Sequence, residues 1–379
     1  MVINMNICNK VTSIIFCAVI AGLTAASMLN PVREHSETEN RDLAQMPTFS
    51  LESLFKGDFT TDYETFITDQ FVARDAWIAV KTYAELALGK RDSNNVYFAD
   101  DGYYIEKFTP DETQVDTNIA YVAEFLSHVK DKYNTRVMIA PTSSLVLADK
   151  LPANAPNWDQ DGMLDRLASL GNFVDTRDIL LEHKDEYIYY RTDHHWTTWG
   201  AYYAYLELAE SLGFEPLAPE ELVEMVLSEE FLGTTIAKLG ISANEDTMVK
   251  LESKNQPTVS LDYNMGMEQT DTLYDESKLD TRDKYGYFLG GNDPIIDITT
   301  SVDNGRTLLM VKDSYAHCMI PLLVNHYERI ILIDLRHFNA GVETYIGMLE
   351  SSGTEIDDIV VLYNASGFAD DRYLVKLRK

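Results

Sequence analysis

Four short apolar runs constrain the fold more than anything else in this chain: TRVMIAP at 135–141, TLLMV at 307–311, RIILIDL at 329–335 and DIVVLYN at 358–364. Each is too short for a core helix and rich in β-branched residues, so each reads as a strand. Their hydrophobicity is nearly continuous rather than alternating, which means that both faces are covered, as in parallel strands of an α/β sheet. Helical patterns fall before and between them, at about 117–132, 162–170 and 198–212, the last repeating Ala201, Tyr205, Leu208 and Leu212 before Gly213. A further short strand is expected at NFVDT, 172–176. Such alternation predicts a parallel sheet with helices on both faces, a Rossmann-like or flavodoxin-like three-layer sandwich.

The amino end has another character. No charged residue occurs from Val11 to Val32, and Lys10 stands on its N-terminal flank. Residues 1–32 read as a signal peptide or N-terminal membrane anchor, with the positive flank kept inside and the rest delivered outside. Beyond residue 30 the chain holds 30 basic and 61 acidic residues, a net charge of −31. Such a surface repels nucleic acid and anionic headgroups. Cys8 and Cys17 lie in or beside the apolar segment, so Cys318 is alone in the exported body and no disulfide can staple it.

Residues 33–110 form a lead-in region expected to pack on the main body. It has a polar extended start, an amphipathic helical stretch at about 57–88, and an aromatic–polar alternation around Asp100-Asp101-Gly102 that reads as a hairpin. Residues 111–379 form the α/β domain. Within it, 214–300 is less regular and reads as an insertion or lid containing FLGTTIAKLGI and KYGYFLGGNDP.

The chemistry concentrates in two places. Asp193-His194-His195-Trp196 sets a carboxylate and an imidazole two residues apart just before a helix, while Asp313-Ser314 directly follows an apolar strand. Ser314 as nucleophile, His195 as base and Asp193 as its orienter would make a Ser-His-Asp device. In an extended segment residues two apart face the same way, which suits the pair and would point His194 away. Reactive groups of open α/β sheets collect beyond the carboxyl ends of strands, where Ser314, Arg336 and Asn364 all fall. A helix opening at Tyr315 would offer free amides, the Ser314 N–H among them, to a developing oxyanion. The competing readings are a helix cap at Ser314 and a metal site at the tetrad, but adjacent histidines are an awkward chelate and no other histidine completes a set. The reading requires neither metal nor cofactor.

The tetrad, the lead-in SETENRDLAQMP, NNVYF with DGYY, KYGYFLGGN and LLMVKDSYA with IILIDLR, in this order, resemble the DHHW-motif family of exported bacterial proteins. That family is similar to the SGNH-hydrolase-like domain of alginate O-acetyltransferases, where an Asp-x-His pair precedes the Ser, a permuted order. The resemblance implies catalysis by Asp193, His195 and Ser314, an oxyanion donor at Asn364, with Tyr315 beside it, and a donor or glycan contact at Arg336. Lys312 departs from the Gly of the ordinary Gly-Asp-Ser block. The implied activity is extracytoplasmic O-acetyl transfer or ester hydrolysis on a cell-envelope or exported polysaccharide. A transferase would need a multipass membrane acyltransferase to deliver acetyl groups. The alternative is a glycan-binding or assembly protein of the envelope that lacks the chemistry.

Overall fold

The computed structural model describes residues 5–36 and 41–378, so residues 37–40 of the expected extended lead-in lie outside the described residues. The chain divides into two compact units, residues 1–90 with 237–241, and residues 91–236 with 242–379.

In the first unit, α1 (Met5–Leu29) contains one stretch, Asn9–Leu29, long and apolar enough to cross a membrane. At 1.5 Å per residue those residues reach roughly 30 Å, the thickness of a bilayer core; a signal sequence would satisfy the same test. A short helix, α2 (Leu51–Lys56), precedes the expected helical stretch at 57–88 and ends at Gly57, whose φ is 89°. The stretch itself is two helices rather than one, α3 (Asp58–Asp69) and α4 (Arg74–Ala87), broken at Ala73, whose φ is 53°. Periodicity carries no mark of such a break, because the apolar spacing runs on through it.

The second unit opens with the expected hairpin, β1 (Val96–Phe98) and β2 (Tyr104–Glu106). Its centre is a seven-stranded sheet. Four parallel strands come from the four apolar runs: β3 (Asn134–Ala140), β9 (Thr307–Lys312), β10 (Arg329–Ile333) and β11 (Asp358–Asn364), in the order β10-β9-β11-β3. Residues 214–300 supply a separate antiparallel hairpin, β4 (Leu222–Phe231) with β5 (Asp246–Ser253), and three strands of the central sheet. These are β6 (Val259–Tyr263), β7 (Glu268–Thr270) and β8 (Ile295–Thr300); β8 pairs antiparallel with β10. The sheet is therefore mixed rather than wholly parallel. NFVDT contributes a single bridge, Phe173 to Val137, before the chain turns into a helix at Arg177.

Alternate residues of each parallel strand enter opposite cores. Leu308, Met310, Leu332 and Leu362 join Ala201, Tyr205 and Leu208 of α7 (Thr198–Leu212) on one face. On the other, Leu309, Val311, Ile331 and Val361 pack with Val115, Val122 and Phe125 of α5 (Glu112–Val129) and Leu164 of α6 (Gln160–Ala168). Two cores explain the apolar run, since β9 and β11 are buried throughout and β3 and β10 are half-exposed only near their starts.

Candidate functional site

A tight loop between Tyr189 and Trp196, which bridge each other, carries the tetrad. Its base is tied by the buried Asp246, whose carboxylate accepts from Arg191 N (3.1 Å), Thr192 N (2.8 Å), Thr192 Oγ1 (2.6 Å) and Tyr187 Oη (2.5 Å). Asp193 Oδ1 accepts from both His195 N (3.0 Å) and His195 Nδ1 (2.6 Å). The pair is thus made by an Asx-type turn, a local side-chain-to-backbone bond, and not by the same-face geometry of an extended strand. His194 does not point away: its ring lies 3.9 Å from that of His195, and its Nδ1 meets Thr234 Oγ1 at 2.9 Å.

The other half of the site is the turn after β9. Ser314 is the only incompletely buried residue between Thr307 and Val324. His195 Nε2 lies 2.7 Å from Ser314 Oγ, so with Nδ1–H given to Asp193 the ring accepts the serine hydroxyl. Residues 193, 195 and 314, chosen from sequence, form one hydrogen-bonded chain.

Several supports were not chosen. Thr234 donates to Asp193 Oδ2 from its amide (2.8 Å) and its hydroxyl (3.0 Å). Gly233 makes this approach possible, because a Cβ there would stand 2.2 Å from that of Asp193. Tyr285 of KYGYFLGGN stacks on His195 at 3.8 Å between ring centres, and its hydroxyl lies 3.3 Å from both the Ser314 carbonyl and Cys318 Sγ. Trp196 Nε1 donates to the Tyr315 carbonyl at 2.9 Å, and Tyr315 Oη donates to the His194 carbonyl. The FLGTT and KYGY motifs stood out in sequence, yet nothing local tied them to a site more than 25 residues away.

Two of the residues expected at the oxyanion, Tyr315 and Asn364, give donors to Asp313. Its carboxylate accepts from Tyr315 N (2.9 Å), Asn364 N (2.8 Å) and Asn364 Nδ2 (2.7 Å). A buried carboxylate requires donors, and these are the nearest ones. Asn364 Oδ1 in turn accepts from Gly367 N at 2.8 Å. Arg336 is paired with Asp334 through Nε (2.9 Å) and Nη2 (2.5 Å) and with Asn292 Oδ1 (3.0 Å), so it makes no direct bond to Ser314. Lys312, which departs from the Gly of the ordinary Gly-Asp-Ser block, is fully buried and donates to His317 Nε2 at 2.6 Å, with Asp334 Oδ2 4.0 Å away.

The charges differ in kind. Burial alone would raise the Asp193 carboxyl, but the imidazoles of His194 and His195 and the donors of His195 and Thr234 outweigh it and hold it well below the ordinary carboxylate range. Asp313 moves the opposite way, raised by burial that the amides of Asn364 and Tyr315 only partly offset. Burial pushes the Lys312 ammonium down to about 8 against the pull of Asp334, while burial and then the charge of Lys312 keep His317 neutral. As metal ligands, Asp193, His194 and His195 offer donor atoms within 4.8 Å of one another. Both nitrogens of His195, however, are already engaged with Asp193 and Ser314.

Residues 80–333 match the family model described as DHHW protein, whose four letters stand here as residues 193–196. The chain belongs to the DHHW family. Among solved structures, this DHHW chain is similar to a DHHW family protein from Eubacterium siraeum, with 23% identity, a TM-score of 0.64, and coverage of 75% of this chain and 95% of that one. Bacillus cereus PatB1, solved with a sulfonyl adduct, overlaps with 20% identity, a TM-score of 0.60, and coverage of 75% and 98%. The O-acetyltransferase domain of Pseudomonas putida AlgJ overlaps at 14% identity and a TM-score of 0.47, over 73% and 94%. A comparison with curated proteins found no match. At these identities the likenesses to the Eubacterium siraeum protein and to PatB1 establish the mixed α/β fold.

Proposed function

We propose that this chain is an extracytoplasmic SGNH-like serine O-acetyltransferase or acetylesterase acting on a cell-envelope or exported polysaccharide. The observation that carries the reading is the unbroken line Asp193–His195–Ser314, with bonds of 2.6 and 2.7 Å. Ser314 Oγ attacks the acetyl carbonyl as His195 Nε2 takes its proton, and the donor's alkoxide leaves with that proton. Acetyl-Ser314 is then attacked by a glycan hydroxyl or by water; His195 Nε2 takes the attacking group's proton and returns it to Ser314 Oγ as the bond from Oγ to the acetyl carbon breaks. Asp193 holds the ring in the tautomer required and stabilises its charged form. The Ser314 N–H, which has no hydrogen-bond partner among the described residues, and the second Nδ2 hydrogen of Asn364 serve the oxyanion. A transferase of this kind takes acetyl from a multipass membrane acyltransferase, and α1 keeps the chain at the membrane.

The test is acetyl release from p-nitrophenyl acetate by the detergent-solubilised full chain, with mass spectrometry for acetyl on Ser314. Sulfonyl labelling, by analogy with the PatB1 adduct, gives a second route to the same residue. Ser314→Ala is expected to lower turnover ~10⁶-fold and His195→Ala comparably, because the two act as a unit. A folded protein with neither hydrolysis nor label would favour the glycan-binding alternative. One feature speaks for that alternative: a depression of about 350 Å³ lined by Tyr187, Trp199 and Tyr203 between Glu186 and Glu224.

A further inference from the structure

Within the first unit, the face that α4 turns outward is its apolar one. Ala76, Trp77, Val80, Tyr83, Ala87 and Leu88 are exposed along one stripe and its flank, Trp77 at 49% and Leu88 at 81%. Lys81 is the only charged residue exposed along that stretch, while Asp75 and Glu85 are half-buried. The opposite face is covered, Thr82 Oγ1 donating to the Leu239 carbonyl at 2.8 Å. An amphipathic helix in water does the reverse. A second set, Phe49, Leu51, Leu54 and Phe55, is exposed in and just before α2, with Phe55 at 87%.

The same unit fixes where this face lies. Val72 N donates to Ser27 Oγ (3.3 Å) in the last turn of α1, and Gln70 bonds the backbone of Arg33 in both directions, at 2.9 and 2.8 Å. Arg33 also pairs with Asp75 in the first turn of α4, at 3.6 Å. Since Arg33 follows Leu29 by only four residues, the start of α4 is held within about 15 Å of chain from the end of the apolar helix. An apolar stripe bearing Trp and Tyr, tied to the end of a membrane-spanning segment, has the composition and position of an interfacial helix.

We propose that α4 lies in the interface of the bilayer crossed by α1, with the residues of α2 beside it, so that the chain holds the membrane by a surface patch as well as by a span. This rests on α1 remaining in the bilayer and is independent of any chemistry at Ser314.

The test uses the full chain in nanodiscs whose lipids are brominated near the headgroup end of the acyl chains. The difference in tryptophan emission between the parent and Trp77→Phe isolates Trp77. That component should be strongly quenched, less so when the bromines sit deeper, and Val80→Glu with Tyr83→Glu should abolish the quenching. A Trp77 component indifferent to bromine would overturn the proposal and leave the face to a protein partner. Recovery of the chain without residues 1–29, free of the membrane fraction, would overturn it as well.

Discussion

The two loops that meet at Ser314 each bury an aspartate, and they treat it in opposite ways. Asp193 has two imidazoles and four hydrogen bonds from His195 and Thr234, and its carboxyl is held low. Asp313 has three amide donors and, among the described residues, no side-chain cation bonded to it, and burial raises it. Amide donors alone offset only part of the cost of desolvating a charge, whereas two imidazoles added to such donors reverse the sign. The first aspartate is therefore suited to stabilising an imidazolium, and the second to bracing the turn that presents Ser314.

The largest test of this contrast is Asp193→Asn, expected to cut esterase turnover ~10⁴-fold because the amide favours the wrong tautomer of His195. Asp313→Asn should cost ~10²-fold, the scale of a misplacement near 1 Å, since it loosens the turn and not the proton path; equal losses in the two variants would erase the distinction. Their stabilities should also diverge with pH. Asp193 contributes stability that is complete above its unfolded value and lost only as pH falls through its lowered folded value, so the deficit of Asp193→Asn grows from acid to neutral pH. The raised Asp313 costs stability as pH rises past its unfolded value, so the deficit of Asp313→Asn shrinks over the same range. Denaturant melts of both variants at several pH values read the two slopes.

Lys312 extends the comparison to a buried cation. The unfolded state holds this proton up to about 10.5 and the folded state only to about 8, so the parent gains stability between those values. That gain amounts to about 3 kcal/mol. Lys312→Met lacks it, and its stability relative to the parent should fall as pH rises through that window. The smallest effect is expected from Thr234→Val, which removes one of two donors to Asp193 Oδ2 and leaves the amide. About tenfold in turnover, with an unchanged pH profile, would mark Thr234 as a support of Asp193.

Much of this could be read from the chain. The parallel strands were legible because strands buried on both faces leave an unbroken apolar run, and α7 because Thr197 and Gly213 cap it at the expected ends. Asp193, His195 and Ser314 were legible because each stands at the end of an element that sequence can locate. The antiparallel half of the sheet was not, since half-exposed strands such as Glu268–Thr270 carry few apolar residues. Nor were Thr234 and Tyr285, which reach the site from irregular segments whose path depends on contacts far along the chain.

Local composition and period are enough to give the apolar first helix, the acidic body, the four parallel strands and the candidate residues Asp193, His195 and Ser314. Packing was needed to commit Tyr315 N and one Nδ2 hydrogen of Asn364 to Asp313, to lay Tyr285 over His195 and to turn the apolar side of α4 outward. Each of those outcomes depends on which donor lies nearest to a buried charge or which face is already covered, and such distances exist only after distant segments have packed.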